Sequence, residues 1–463
     1  MALELFDNLS PLDYRYVGRD KEAVKLLTPY LSENARIHYQ ALVEAALVRT
    51  LARQGLCSKE TAREVEQACR RVSAEEVYKE EDKIRHDVRA LVNIIRRQVQ
   101  KEAKPFVHFG ATSYDIVDTS SALRYKEAAR MVLLPSLKNL EKTLIKLALR
   151  EKDTVQVGRT HGQHAEPITF GFAMSEYVSR LGNRVLAIET AKENLCGKFS
   201  GAVGAYNASS LFIKDPVAFE RELMKELGLK VGTHSTQIVE PESLIDLLNA
   251  ILSCFGVLAN LADDMRNLQR SEIAEIAEAF GEKQVGSSTM PHKRNPINFE
   301  NVKSLWKQFM PRIVTIYMDA LSDHQRDLTN SASARFIPEI FAGLYLASER
   351  LNKTMSRLVV DKQSIARNFA ASADSIVAEP LYILLAQHGH ANAHEEVRLL
   401  TLEAQKKRKP LLEAAKANES INRYLRKFTP HQLAVIGDPA KYVGLASRKT
   451  EQACAHWKKA LKL

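Results

Sequence analysis

Between Gly286 and Pro296 the chain reads Gly-Ser-Ser-Thr-Met-Pro-His-Lys-Arg-Asn-Pro. Two prolines and a glycine in so short a span bar a regular helix, so the segment must be a loop. It offers two serine hydroxyls, an amine and an amide to a common space. Such a set suits an anion that carries an acidic C–H. Lys293 can lower the energy of charge building on a carboxylate as the neighbouring carbon loses its proton, and Asn295 can hold the same carboxylate by hydrogen bonds. Ser287 or Ser288 can take the proton once its hydroxyl is ionised by its surroundings. The glycine and serine content predicts a loop that moves when empty and closes over substrate to shut out water.

Other polar, glycine-bearing breaks in the helical pattern fall at Phe106 to Thr119 and Gly158 to Phe170, and a further one, dense in Arg, Asp and Ser, at Asp323 to Pro338. Connections of this kind on a rigid scaffold are where chemistry tends to sit. A histidine cluster, His388, His390 and His394, is a different matter. The spacing of His390 and His394 could put two imidazoles on one helix face, but no HExxH pattern and no nearby cysteine completes a ligand set. A surface helix start is the expectation there, and no metal site.

The Gly286 to Pro296 string resembles the signature loop of the fumarase and aspartase superfamily, whose members release fumarate from succinyl-bearing substrates. Further strings narrow the resemblance to the adenylosuccinate lyase family. They are Arg85-His86-Asp87-Val88, Thr112-Ser113-Tyr114-Asp115-Ile116-Val117-Asp118-Thr119, Arg159-Thr160-His161-Gly162-Gln163-His164-Ala165-Glu166-Pro167, Ser200-Gly201-Ala202-Val203-Gly204, Ser235-Thr236-Gln237 and Arg326-Asp327. The resemblance implies a cofactor-free C–N lyase of purine biosynthesis. It places the general acid on His161 and the base on Ser287, with Lys293 and Asn295 facing the succinyl carboxylates. His86 takes the place of a second active-site histidine, flanked by Arg85 and Asp87 in a nucleotide-handling string. Thr112, Ser113 and Gln237 match succinyl-binding positions, and Arg15, Tyr16, Arg326, Ser331 and Arg335 match nucleotide and phosphate contacts. An imidazolium suits the acid role because its pKa lies near neutrality, and guanidinium groups match phosphate oxygens. The resemblance also implies a homotetramer in which three subunits build each site.

The elements that must position these residues are helices. Leu137, Leu140, Leu144 and Leu147 repeat at spacings of three and four, as do Leu244, Leu247, Leu248, Ile251, Phe255, Leu258 and Leu261. The same spacing predicts one helix through Val302, Leu305, Phe309, Ile313, Ile316 and Ala320. Three long apolar stripes with little strand-like alternation read as an all-α protein built on a long-helix bundle. The resemblance implies that this central bundle forms the core of the homotetramer. We expect three helical domains, 1–111, 112–363 and 364–463, with the bundle in the middle one.

Composition excludes several alternatives. The formal net charge is +10, but from Thr401 onward 14 Lys and Arg face 5 Asp and Glu, so nearly all of the excess is C-terminal. Its densest run, Lys406 to Lys409, has no interleaved aromatic residues for base stacking and reads as a solvated helix end rather than a nucleic-acid surface. The most apolar stretch, Leu244 to Leu261, is broken by Asp246, Asn249 and Asn260, which argues against a membrane span. The first residues lack a basic region followed by an apolar core, so a cytoplasmic location is expected. The 5 cysteines include no CxxC pair and read as reduced thiols.

Overall fold

The computed structural model describes residues 5–281, 289, 290 and 292–463. The chain runs through α1 (Lys21–Leu31), α2 (Glu33–Arg53), α3 (Lys59–Arg71), α4 (Ala74–Ile84), α5 (Asp87–Arg97) and α6 (Ser113–Ala128) into α7 (Leu134–Arg150). A hairpin of β1 (Val155–Thr160) and β2 (Gln163–Thr169) leads to α8 (Phe170–Glu193), then β3 (Cys196–Gly197), α9 (Pro216–Leu227), β4 (Lys230–Val231) and α10 (Glu242–Leu268). After β5 (Ile276–Ala277) come α11 (Ile297–Phe309), α12 (Arg312–Asp319), α13 (Ile337–Met355), β6 (Val359–Val360) and α14 (Lys362–Ala370). The remainder is helical: α15 (Ala373–Ile376), α16 (Ala378–Gln387), α17 (Ala393–Lys407), α18 (Leu411–Ala417), α19 (Glu419–Leu425), α20 (Pro430–Gly437) and α21 (Ala446–Ala460). The fold is all-α.

Short polar residues start the early helices. Asp20, Ser32, Ser58 and Ser73 each accept a first-turn N–H through the side chain, which satisfies donors the helix itself cannot. Between α6 and α7 the backbone does not stop but widens over Ala129–Leu133 to a looser winding. Pro135, one residue into α7, lacks an N–H and would crowd the carbonyl four residues back in a regular helix, so a local widening just upstream relieves it. The apolar stripe of α10 is a core stripe: Leu247, Leu248, Ile251, Phe255 and Leu258 are fully buried. This helix is long and apolar enough to cross a membrane, yet 61% of its most apolar window is buried inside the fold.

The helix expected through Val302 to Ala320 is two helices. Pro311 has no N–H to continue the ladder, α11 closes with Met310 N–H on the Trp306 carbonyl, and α12 starts afresh with Pro311 as its cap. The break at Gly158 to Phe170, expected only as a polar connection, is largely the β1–β2 hairpin. His390 precedes α17 and His394 lies in its first turn, so they do not share a helix face. Instead His390 tilts against Tyr424, and His394 meets Tyr382 edge-on. Lys406 and Lys407 end α17, and all of Lys406 to Lys409 is exposed.

The chain divides into two compact units. One comprises Met1–Lys138, Asn183–Leu258 and Ser304–Glu349; the other Asn139–Gly182, Ala259–Lys303 and Arg350–Leu463. In the first, α2 packs against α3, α6 and α9, and a core that includes Ile37, Val48, Val65, Leu91 and Ile95 lies wholly within residues 37–107. In the second, α14, α15 and α21 pack on the β-hairpin, and a separate core that includes Leu381, Leu385, Val397, Leu411 and Ile421 lies within residues 377–436.

Candidate active site

In the second unit the hairpin is built around His161. Thr160 pairs with Gln163, so His161 and Gly162 alone form the turn, with φ of 54° and 75°. Two consecutive positive φ values are the geometry of a two-residue turn whose twist matches that of the strands it joins. Gly162 adopts it freely, whereas a histidine there is uncommon and signals a functional constraint. The imidazole is thereby presented at an exposed tip. Lower down, the strand register shifts between Val157 and Arg159. Gly158 permits this, since a side-chain carbon there would lie 2.7 Å from the Glu166 carbonyl oxygen.

The side chains below the tip are pinned. Arg159 pairs with the fully buried Glu275 at 2.5 Å, and Gln156 donates to the same carboxylate at 2.5 Å. On the opposite strand His164 Nδ1 meets the Ser372 hydroxyl at 2.6 Å. Burial, and then the neighbouring Glu166, raise the pKa of Glu379 on α16, so two carboxyls crowd each other beside the hairpin.

Of the signature loop, Ser287, together with Ser288 and the expected closure of the loop, lies outside the described residues. Lys293 is exposed, with its N–H on the Met290 carbonyl at 3.0 Å, and Asn295 is half-buried. The loop runs into α11, whose first turn is held by Glu278: its carboxylate accepts from the backbone N–H groups of Asn298 and Phe299 at 2.9 and 3.0 Å. A carboxylate is well placed at the positive end of a helix.

The first unit gathers a second cluster. Thr112 caps α6, its N–H donating to Asp115 at 2.8 Å, and Ser113 is the first helical residue. Asp115 is fully buried, bonded to Lys198 and to the N–H groups of Ser200 and Gly201 at 3.2 and 3.3 Å. That fixes the Ser200 to Gly204 turn, and Ser200 in turn holds Ser235 at 2.6 Å. Gln237 donates its N–H to the Gln325 carbonyl at 3.2 Å, beside Arg326. The Arg326 guanidinium sits over the Tyr114 ring, 5.6 Å from its centre. Its Nε and Nη1 are buried without a hydrogen-bond partner among the described residues. Thr112, Ser113, Gln237 and Arg326 are thus brought together, and donors without acceptors mark a place for an anion.

Other expected residues are scattered. Arg85 ends α4 in a left-handed conformation, His86 caps α5 by accepting the Arg89 N–H at 3.3 Å, and Asp87 lies 3.7 Å from His86. Arg15 is exposed and Tyr16 half-buried in the Leu12–Gly18 turn. Ser331 and Arg335 are exposed, and Arg335 Nε donates to the Ser331 carbonyl at 3.3 Å.

Two titratable residues here were given no role from the sequence. Asp118 accepts the Val239 N–H at 2.9 Å, and burial pushes its carboxyl up to about 6 against the pull of that bond, Lys198 and Arg326. His108, at φ 62°, holds Glu44 at 2.6 Å through Nδ1; burial opposes its charge, but Glu44 outweighs this and raises its pKa. Both lie in the Phe106 to Thr119 break, which was the available signal.

The family profile described as "Lyase" matches residues 15–310, and one described as "Adenylosuccinate lyase C-terminal" matches residues 322–434. The adenylosuccinate lyase of Pyrococcus abyssi is 36% identical over 447 residues, which is 95% of this chain and 96% of that protein. The chain belongs to the adenylosuccinate lyase family. A second relative of that name, from Archaeoglobus fulgidus, is 34% identical over 96% of this chain and 97% of its own length. An N-acetyl-S-(2-succino)cysteine lyase of Enterococcus italicus is 30% identical over 92% of this chain and 93% of its own. Among solved structures, the 3-carboxy-cis,cis-muconate lactonizing enzyme of Pseudomonas putida superposes with a TM-score of 0.82 at 23% identity, covering 97% of this chain and 100% of that one. At that identity the likeness between this chain and the lactonizing enzyme is one of fold alone.

Proposed function

We propose that the chain eliminates fumarate from adenylosuccinate, leaving AMP, and from succinylaminoimidazole carboxamide ribotide, leaving aminoimidazole carboxamide ribotide. The observation that carries this reading is the match of residues 322–434 to the adenylosuccinate lyase C-terminal profile, because the match of residues 15–310 is described only as lyase. In the mechanism, Ser287 removes the succinyl β-hydrogen and the electron pair is held on the adjoining carboxylate against Lys293 and Asn295. That pair then forms the fumarate double bond as the C–N bond breaks anti to it, and His161 hands its proton to the departing nitrogen. His86, with Arg85 and Asp87, assists the acid or holds the nucleotide. Thr112, Ser113 and Gln237 hold the succinyl group. Arg326, whose Nε and Nη1 have no partner among the described residues, and Arg15, Tyr16, Ser331 and Arg335 take the nucleotide and its phosphate. Neither a metal nor an organic cofactor has a part in these steps.

An ultraviolet assay on purified protein with adenylosuccinate, the imidazole ribotide precursor and N-acetyl-S-(2-succino)cysteine tests the assignment. Turnover of the two purine-pathway compounds is expected, and turnover of the thioether alone would refute it.

We also propose a cytoplasmic homotetramer whose partners are further copies of the chain and its small-molecule substrates rather than nucleic acid or membrane. The three-domain division at 111/112 and 363/364 is supported by the separate cores within residues 37–107 and 377–436. Val314, Tyr317, Met318 and Leu321, at helical spacing on and just after α12, are 59, 52, 65 and 76% exposed. An apolar stripe left open on one chain is the kind of surface that subunit contact covers. Changing Met318 and Leu321 together to Glu is expected to shift the protein to a smaller species in light scattering, with loss of turnover. A tetramer that survives the double change would remove this stripe from the interface, and a fully active parent monomer would remove the assembly.

A further inference from the structure

A two-stranded hairpin is marginal by itself in water, yet the one here carries the proposed proton donor at its tip. Helices pack on it, and one buried carboxylate anchors its first strand. Glu275 is fully buried, and its two oxygens accept four hydrogen bonds: from Gln156 Nε2 at 2.5 Å, Arg159 Nη1 at 3.2 Å, Arg159 Nη2 at 2.5 Å and Asn368 Nδ2 at 2.9 Å. Its lone pairs are therefore fully used, and it has nothing left for a substrate. Two of these three partners, Gln156 and Arg159, are on β1, and Arg159 is two residues from His161. The backbone of Glu275 is fixed as well: its N–H donates to the Leu268 carbonyl at the end of α10, and its carbonyl accepts from Asp361 N–H ahead of α14. The register shift between Val157 and Arg159 leaves the strand unpaired at Gly158, so side-chain anchoring replaces ladder bonds at the step that leads to the tip.

We propose that Glu275 is a positioning residue for the elimination, holding the His161 hairpin at its working height through Arg159 and Gln156. The inference rests on the reading of His161 as the proton donor. Arg159 is the natural relay because its planar fork fixes direction as well as distance, which a lysine cannot do. The imidazole itself stands exposed, so its location depends on the strand beneath it. A displacement of about 1 Å at a proton donor costs about 100-fold in turnover, while substrate held by other groups binds as before.

The experiment compares Glu275→Gln, Arg159→Lys and His161→Ala in the full-length enzyme with adenylosuccinate, reading kcat and KM separately per folded protein. Glu275→Gln is expected to lower kcat about 100-fold with KM within about two-fold, and Arg159→Lys to lower it about 10-fold. A merely structural role would reduce yield and melting temperature but leave kcat of the folded fraction unchanged. Folded Glu275→Gln with kcat within about three-fold of the parent overturns the proposal. If that variant does not fold, the same outcome for Arg159→Lys, whose side chain is partly exposed, overturns it. Inactive His161→Ala beside unimpaired Glu275→Gln overturns this proposal alone. A His161→Ala variant that keeps turnover overturns the underlying reading and the proposal with it.

Discussion

Replacing His161 with Ala is expected to lower turnover of adenylosuccinate at least about 1000-fold, within the range a general acid supplies, while far-ultraviolet circular dichroism stays that of the parent. The residue is exposed at a turn and contributes nothing to either core, so the loss is chemical. Its φ of 54° makes alanine somewhat strained there, and the companion change His161→Asn answers that objection. Asparagine tolerates the left-handed region, so the turn keeps its shape while the titrating imidazole is gone. The departing purine nitrogen then has no proton source at hand. Ser287→Ala is expected to be equally inactive, for want of a base. Near-normal turnover in any of these variants would show that the residue concerned does not do the work assigned to it.

Replacing Glu141 with Gln should stabilise the protein, and more so as pH rises. Glu141 lies on α7 in the second unit, fully buried, and neither carboxylate oxygen has a hydrogen-bond partner among the described residues. Burial alone pushes its carboxyl up to about 9, and burial with the nearby Glu141 pushes the Cys454 thiol on α21 up to about 11. Between the ordinary value of 4.5 and about 9 the folded chain keeps a proton that the unfolded chain has released. Stability therefore falls as pH climbs through that window, and it levels off on either side. Glutamine does not titrate. The advantage of the variant should be near zero at pH 4.5 and on the order of 3 kcal/mol at pH 7.5, given about 1.4 kcal/mol per pKa unit and some relaxation of the site. Urea melts of both proteins at pH 5 and pH 8 measure it. An equal gap at the two pH values would mean that the buried carboxyl is not held neutral.

Much of the scaffold was legible because burial on one face of a helix imposes a rhythm. Leu137, Leu140, Leu144 and Leu147 of α7 and the α10 stripe from Leu247 to Leu261 are buried as their spacing requires. The rhythm misled at Val302 to Ala320, since Ile313 and Ile316 resume the stripe after Pro311 and hide the break. The hairpin was missed for the opposite reason: its buried positions are Gln156, Val157, Pro167 and Thr169, of which the first is polar and adjoins the second, so no period of two emerges. At the site, short contiguous strings could be read, whereas residues that act across long separations could not. Asp118 meets Val239 across 121 positions, and Glu275 meets Gln156 across 119. A buried carboxylate carries no local pattern, and its partners become apparent only once the chain has folded.

The turn made of His161 and Gly162 alone has a bearing on how such a catalyst can be altered. With just two residues between paired strands, the imidazole can be moved only in whole-residue steps, and one inserted residue would swing every side chain of one strand to the other face. Directed-evolution libraries aimed at new leaving groups should therefore leave this apex untouched.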